Sequence, residues 1–185
     1  MPIYSNDVPE RPRGPALPIR RTPARTPLDA IVTSDDLIGC YTHFYKGSTV
    51  PCEGDQCKPH HEGIPFRWHA YMTCVELRSN LHFLFEVTAN AAEHFVAYRN
   101  IHNTIRSCQF RAVRWNQRHN GRILIQTKTA SLGQRMLPPA PDLEKCLAVL
   151  WGLPSGNVTV KGINPETQVR QVHTEPEKDE FECPQ

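Results

Sequence analysis

The 185-residue chain lacks long hydrophobic runs, because its uninterrupted apolar stretches extend over only a few residues. A membrane-spanning helix needs about 20 predominantly apolar residues in succession, so a span of that kind is excluded. The N-terminal segment also lacks the apolar core of a secretory signal peptide, which predicts a cytoplasmic protein. In that compartment, the seven cysteines indicate reduced thiols or metal ligands rather than a disulfide framework.

Signatures of enzyme chemistry are missing as well. The chain has no Ser/His/Asp or Cys/His arrangement with a sequence signature, no glycine-rich phosphate loop and no visible internal repeat. The formal net charge of +2 is too small to indicate a partner. Local patterns must therefore carry the functional information, and a protein without catalytic activity is expected.

Charge and proline content divide the chain into three parts. Residues 1–29 contain seven prolines and five arginines but no hydrophobic periodicity, which predicts a disordered N-terminal arm. Residues 154–185 carry three basic and six acidic side chains, which predicts a disordered acidic tail. Almost every candidate core residue lies in 30–153, so one folded domain is expected there.

Within that domain, hydrophobic periodicity predicts strands and two helices. One helix is predicted over residues 90–105 with Asn90 as its N-cap, and a short one opens at Asp142. Asn120-Gly121 fits a type I′ turn between the last two strands. The predicted strands span residues 37–45, 66–77, 81–88, 109–117 and 123–127.

Five strands with a single helix between the third and the fourth is the arrangement of the OB-fold, a small β-barrel. The expected fold class is therefore mostly β: an OB-fold-like barrel with a short C-terminal helix and two disordered tails.

A 20-residue loop, 46–65, separates the first two predicted strands, and a loop of that length needs something to organise it. It contains Cys52, Cys57 and His60. The two-residue gap between Cys57 and His60 lets two ligands bind one ion from a tight turn. Thiolates and imidazoles are the ligands of Zn²⁺ in tetrahedral sites, so a zinc loop is predicted.

The fourth zinc ligand is left open by the sequence. His43, near the end of the first strand, can lean over the loop and completes the preferred set. His61, Cys40 and His69 are alternatives, although neighbouring histidines such as 60 and 61 seldom bind the same ion. Four protein ligands leave no position for water, so the site is expected to be structural.

A long segment of the chain is strongly basic. No acidic residue occurs between Glu93 and Asp142, whereas the same 48 positions hold eight basic residues. Aromatic residues lie among them, and a second run that mixes basic and aromatic residues occurs at positions 67–71. Six of the eight basic residues lie between positions 99 and 122, around the last two predicted strands.

Arginines that neutralise phosphates, next to aromatic rings that stack on bases, are the combination that binds single-stranded nucleic acid. The predicted phosphate contacts are Arg67, Arg111, Arg114, Arg118 and Arg122. The predicted stacking residues are Tyr45, Trp68, Tyr71 and Trp115.

A histidine, a cysteine and then a Cys-x2-His pair, inserted after the first strand of an OB-fold, resembles the zinc-containing OB-fold single-stranded-DNA-binding proteins of T-even-type phages. The resemblance covers about residues 37–128 and implies zinc ligands at His43, Cys52, Cys57 and His60. The phage pattern ends in cysteine where this chain has His60, and the spacing between the second and third ligands differs. The acidic tail is similar in kind to tails that recruit replication or repair proteins.

The sequence therefore predicts a non-enzymatic protein that binds single-stranded DNA or RNA on an OB-like barrel carrying a structural zinc loop, with no membrane partner. Two other functions remain open. A protein-interaction adaptor would show scattered arginines and an apolar patch. A zinc-dependent nuclease or hydrolase would show an ion with three protein ligands and a nearby carboxylate.

Overall fold

A computed structural model of the chain describes residues 17–133 and 136–152. Within these ranges the chain is mostly β, and eight strands share one mixed sheet. The strands are β1 (Ile19–Arg20), β2 (Leu28–Val32), β3 (Ile38–Tyr45), β4 (Ser48–Pro51), β5 (Phe66–Glu76), β6 (His82–Thr88), β7 (Cys108–Arg114) and β8 (Ile123–Thr129). The helices are α1 (Lys58–His61), α2 (Ala89–His102) and α3 (Leu143–Trp151), with 3-10 turns at Gly54–Gln56 and Trp115–Gln117.

The sheet is organised around β5, its longest strand. β6 pairs with β5 along one edge, and the other edge is shared, because β3 pairs with residues 66–71 and β2 with residues 74–76. β7 and β8 continue beyond β2, and β4 continues beyond β3. All these pairings are antiparallel, whereas β1 lies parallel to β6 and makes the sheet mixed.

The predicted five-stranded barrel is corrected to an open sheet with more strands. Among the described residues, β1 pairs only with β6 and β8 only with β7, so no pairing closes the sheet. The added strands are β1, β2 and β4. β1 has two residues, β4 has four and includes a proline, and β2 follows a proline-rich stretch, so none shows a clear period-two pattern.

Alternation of side chains along the strands gives the sheet two apolar faces. One face carries Phe83 and Phe85, which pack with Phe95 of α2 in the larger core cluster. The opposite face carries Tyr71 and Leu84, which pack with α3 in a second cluster. The sheet therefore lies between two helices, and both of its faces are partly buried.

Helix α2 is present as predicted but differs at both ends. Its N-cap is Thr88 rather than Asn90, and no side chain caps it. It ends before Asn103, whose φ of 59° is left-handed, and so stops short of the predicted end at residue 105; Ile101 in the last turn is exposed. The helical pattern correctly predicts the buried face of α2, but it does not predict the residue at which the helix ends.

The β7–β8 connection is not the predicted type I′ turn. Positive φ occurs at Asn116 and Gln117, and neither Asn120 nor Gly121 has it. Gly121 is needed for a different reason, since a Cβ there would collide with the backbone carbonyl of Trp115. The hairpin therefore turns through the 3-10 segment and a second turn, in which the backbone nitrogen of Gly121 donates to the carbonyl of Arg118 at 3.0 Å. Gly121 allows the two sides of the connection to approach.

The predicted boundary at residue 30 does not coincide with the start of the sheet. Residues 17–29 include β1 and the first two residues of β2, and Ile19 packs in the α3 cluster. Residues 1–16 of the predicted arm and the predicted acidic tail, 154–185, lie outside the described residues. No described helix is long and apolar enough to cross a membrane.

Candidate metal centre and arginine-lined cleft

The metal centre is built on His43 in β3. This residue pairs with Val50 of β4 and Phe66 of β5, and its side chain is fully buried. Its Nδ1 lies 2.9 Å from the carbonyl oxygen of Ile64, whereas its buried Nε2 has no hydrogen-bond partner among the described residues. A buried nitrogen without a partner costs free energy, which a bound metal ion would remove.

Two cysteines approach His43 from the segment that follows β4. Cys52 comes directly after that strand, and Cys57 precedes α1, where its carbonyl accepts a hydrogen bond from the backbone nitrogen of His61 at 3.1 Å. Gly54, with φ of 65°, makes the turn between them. The ligand atoms of His43, Cys52 and Cys57 all lie within 4.8 Å of one another, so this group can hold a metal ion.

His60 lies beside this trio. Its Nδ1 is 3.6 Å from the sulfur of Cys52, and its ring centroid is 6.1 Å from that of His43. Phe66 stacks on the His60 ring at 5.5 Å and holds its orientation. The four ligands predicted from the sequence therefore meet in one place, with His60 at the margin of the trio.

The alternative ligands lie elsewhere. His61 is hydrogen-bonded through Nε2 to the carbonyl oxygen of Asp55. Cys40 and His69 are paired across β3 and β5 and face the side of the sheet opposite His43. Burial raises the pKa of Cys40 to about 12, which favours the protonated thiol at neutral pH.

The surroundings of Cys52 oppose its ionisation. Burial raises the pKa of Cys52, and the neighbouring Cys57 adds to the effect. Thiolates are the metal-binding form, so a cation has to displace the proton, and its charge then stabilises the two sulfurs that otherwise repel each other.

A cleft of about 1010 Å³ opens on the other side of β3. Several loops and strand ends line it, including Ile64 and Pro65 from the end of the metal loop. We call it the arginine cleft, because its charged and titratable lining residues are Arg21, Arg67, Arg114, Arg122, His69, His119 and Glu86.

The one carboxylate lining the arginine cleft is already paired. Glu86 is buried, and it accepts hydrogen bonds from Arg21 Nε at 2.5 Å and from the hydroxyl of Tyr71 at 3.2 Å. The hydrogen bond with Glu86 raises the pKa of Arg21. Burial lowers the pKa of His69, so its ring is neutral at pH 7. The cleft therefore keeps a positive charge from its other arginines.

Three of the five predicted phosphate contacts line this cleft: Arg67, Arg114 and Arg122. Arg114 is held by the carbonyl oxygens of Thr22 at 2.8 Å and Gly121 at 3.2 Å. The other two are not among its lining residues. Arg111 lies 3.7 Å from the carboxylate of Asp29, and Arg118 is exposed.

The predicted stacking residues do not share one surface. Tyr71 is sealed under α3 and bonded to Glu86, so its prediction as a stacking residue is wrong. Trp68 is half-buried against the larger core on the face opposite Tyr71. Tyr45 hydrogen-bonds Glu62 at 3.3 Å, and Trp115 is 59% exposed on the β7–β8 connection.

Sequence reasoning missed four residues of the cleft. Arg21 falls in the segment predicted to be a disordered arm, His69 was considered only as an alternative zinc ligand, and His119 has no motif around it. Phe44 was a recognisable signal, since it is an aromatic residue on the strand face opposite the ligand His43.

Comparison with protein-family models, with curated proteins and with solved structures found no match for this chain.

Proposed function

We propose that the chain is a non-enzymatic protein that binds single-stranded nucleic acid in the arginine cleft, and that a structural zinc ion stabilises one wall of that cleft. The observation that carries the proposal is the lining of four arginines against one carboxylate, Glu86, which is neutralised by Arg21. A groove with excess positive charge attracts a phosphate backbone without reading its sequence.

Zinc is the ion that the donor set favours. Two cysteines and one histidine within 4.8 Å, with a second histidine beside them, correspond to the sulfur and nitrogen ligands of tetrahedral zinc sites. His60 as the fourth ligand would close the site to water, which supports a structural role rather than hydrolysis. Glu62, the carboxylate next to α1, is engaged by Tyr45 and Lys58.

The zinc site and the arginine cleft are connected through the C-terminal end of the loop 46–65. His43 binds the carbonyl of Ile64, and Ile64 and Pro65 line the arginine cleft. An ion that holds His43 and the α1 segment together would therefore hold this wall. When bound, the ion supplies cross-linking of the loop and no chemistry on a substrate.

The decisive experiment is a titration of labelled single-stranded DNA and RNA with the full chain at increasing salt. Binding should be measurable at low ionic strength, and log K should fall linearly with log salt. Replacing Arg67 and Arg122 together by alanine should reduce the slope by about 1.4, since each single-strand phosphate contact contributes about 0.7. Arg78→Ala, in the exposed β5–β6 turn outside the cleft, is the matched control.

Absence of affinity for both nucleic acids at low salt would refute the proposed function. It would favour the alternative function as a protein-interaction adaptor, which one observation supports. A second groove of about 580 Å³ lies between α3 and β4, and its apolar lining residues are Ile19, Val50, Leu150 and Trp151. Such a groove suits an apolar segment of a partner protein.

A further inference from the structure

We infer that Phe44 and Arg67 form a nucleotide subsite in the arginine cleft: Phe44 stacks on a base, and Arg67, with Arg122 from the β7–β8 hairpin, binds the adjoining phosphate. The inference rests on the proposed function and assigns its stacking role to a residue outside the set predicted from the sequence.

The exposure of Phe44 is the first observation. Its ring is 66% exposed although it lies in a paired strand, where Thr42 and His43 beside it are buried. His43 faces the metal centre, so alternation turns Phe44 to the other side, and the ring lines the arginine cleft. An apolar ring that lines a charged cleft offers a flat apolar surface beside groups that can bind a phosphate.

The strand register supplies the second observation. Thr42 of β3 is directly opposite Arg67 of β5, and Phe44 is two residues further along the same face. Phe44 and Arg67 are therefore diagonal neighbours. The Cα atoms of such a pair are about 7–8 Å apart, a distance that long and aromatic side chains can span. A base on the ring and a phosphate on the guanidinium fit this spacing within a single nucleotide.

The other wall of the cleft supplies further positive charge. Arg122 is exposed at the end of the β7–β8 connection, and Arg114 steadies that connection through the carbonyl of Gly121. Asn90, in the first turn of α2, lines the same space, and the partial positive charge of a helix N-terminus adds to the potential there. The phosphate is therefore expected between Arg67 and Arg122.

The stacking partner is a base rather than another apolar group because of what surrounds the ring. Arg67, diagonal to Phe44 on β5, and Thr49, directly opposite it on β4, put polar groups beside Phe44. An apolar side chain bound on the ring would exclude water from these polar groups without replacing its hydrogen bonds. A base presents a flat apolar face to the ring and a polar edge to the neighbouring groups.

The experiment compares a single-stranded oligonucleotide of about 12 nucleotides with an abasic strand of the same length and charge, both titrated against the full chain. Wild type should prefer the normal strand. Phe44→Leu should lower affinity for the normal strand by about 5- to 150-fold and leave affinity for the abasic strand unchanged. Phe44→Tyr keeps a ring and should retain the preference.

Arg67→Ala should weaken binding of both strands alike and lower the salt slope by about 0.7. Trp115→Leu is the matched control, because Trp115 is exposed but is not among the residues that line the cleft. If Trp115→Leu loses the preference for bases and Phe44→Leu keeps it, the subsite is overturned while the proposed function stands. If wild type binds neither strand, both the proposed function and the subsite fail.

Discussion

His43 donates a hydrogen bond from Nδ1 to the backbone carbonyl oxygen of Ile64 over 2.9 Å. A carbonyl oxygen can only accept, so the proton is on Nδ1 and the lone pair on Nε2 is available. Metal-bound histidines are commonly oriented by a hydrogen bond of this kind from their other nitrogen. The contact therefore fixes the metal-binding tautomer and joins β3 to the end of the α1 segment.

The first prediction concerns metal content. The purified chain should contain about one zinc ion, and Cys57→Ser or His43→Asn should lose it, because each removes one of the three close ligands. Saturation at about 1,000 times Kd stabilises a protein by about 4 kcal/mol, so chelation should lower Tm by about 8–16 °C. Elemental analysis and thermal unfolding with and without chelator measure both effects.

Cys40→Ser is the control for this prediction, since Cys40 lies on the opposite face of β3 and should leave the zinc content unchanged. His60→Ala tests the marginal ligand and should weaken zinc binding without abolishing it, whereas His61→Ala should change the affinity little. Full metal content in Cys57→Ser would contradict the assignment of the site.

The cluster of cysteine and histidine residues was predictable because its signal is local. Cys52, Cys57 and His60 lie within nine residues and are separated by turn formers. The choice of His43 over Cys40 was not predictable with the same certainty, because it depends on which face of β3 turns toward the loop. Only the pairing of β3 with β4 and β5 determines that face.

The fold was predictable where the pattern is periodic and not where pairing is distant. Period-two and helical patterns predict β3, β5, β6, β7, β8, α2 and α3. The closure of a sheet depends on strands far apart in the chain, which local periodicity does not report. Which aromatic residues are exposed could not be predicted for a related reason. Helix α3 covers Tyr71, whereas Phe44 stays exposed, and the packing of helices on the sheet cannot be read from the strand pattern.

The second prediction concerns the buried carboxylate of Glu86. Tyr71→Phe removes one of its two hydrogen-bond donors, and such a bond to a charged group contributes about 1.5–3 kcal/mol. Tyr98→Phe is the control, because it removes a hydroxyl that bonds only to the neutral Thr129 and should cost about 0.5–1.5 kcal/mol. Urea unfolding compares the two. Neither variant should change oligonucleotide affinity, since Tyr71 is buried and Tyr98 does not line the arginine cleft. Equal losses of stability in the two variants would contradict a larger contribution from the hydrogen bond to Glu86.

The third prediction concerns the contact between Gly39 and Trp68. A Cβ at Gly39 would overlap the six-membered ring of Trp68, so Gly39→Ala should destabilise the chain by about 1–3 kcal/mol through overpacking. In a Trp68→Leu background the same change should cost clearly less, because the overlapping ring is gone. Free energies of unfolding for the four chains give the coupling, and equal costs in both backgrounds would exclude the contact as the cause.

The fourth prediction is a pH dependence at the start of α3. The Asp142 side chain accepts a hydrogen bond from the backbone nitrogen of Lys145 at 3.1 Å and pairs with its ammonium at 2.9 Å. The hydrogen bond from the Lys145 side chain, followed by that from its backbone, lowers the pKa of Asp142 below its ordinary value of 3.8. Asp142→Ala should therefore cost about 1 kcal/mol at pH 7, as expected for an N-cap.

The sign follows from the lowered pKa. The unfolded chain takes up the proton first as pH falls, so the charge-dependent part of the stabilisation is complete above about pH 4 and disappears as pH drops through the folded-state value. Asp142→Asn keeps a capping oxygen but has no proton to gain, so its stability relative to wild type should improve in that acid range. Unfolding free energies of wild type and Asp142→Asn, measured at pH 7 and in steps below pH 4, test this difference. A gap between the two chains that stays constant with pH would rule out the carboxylate's ionisation as the source of the effect.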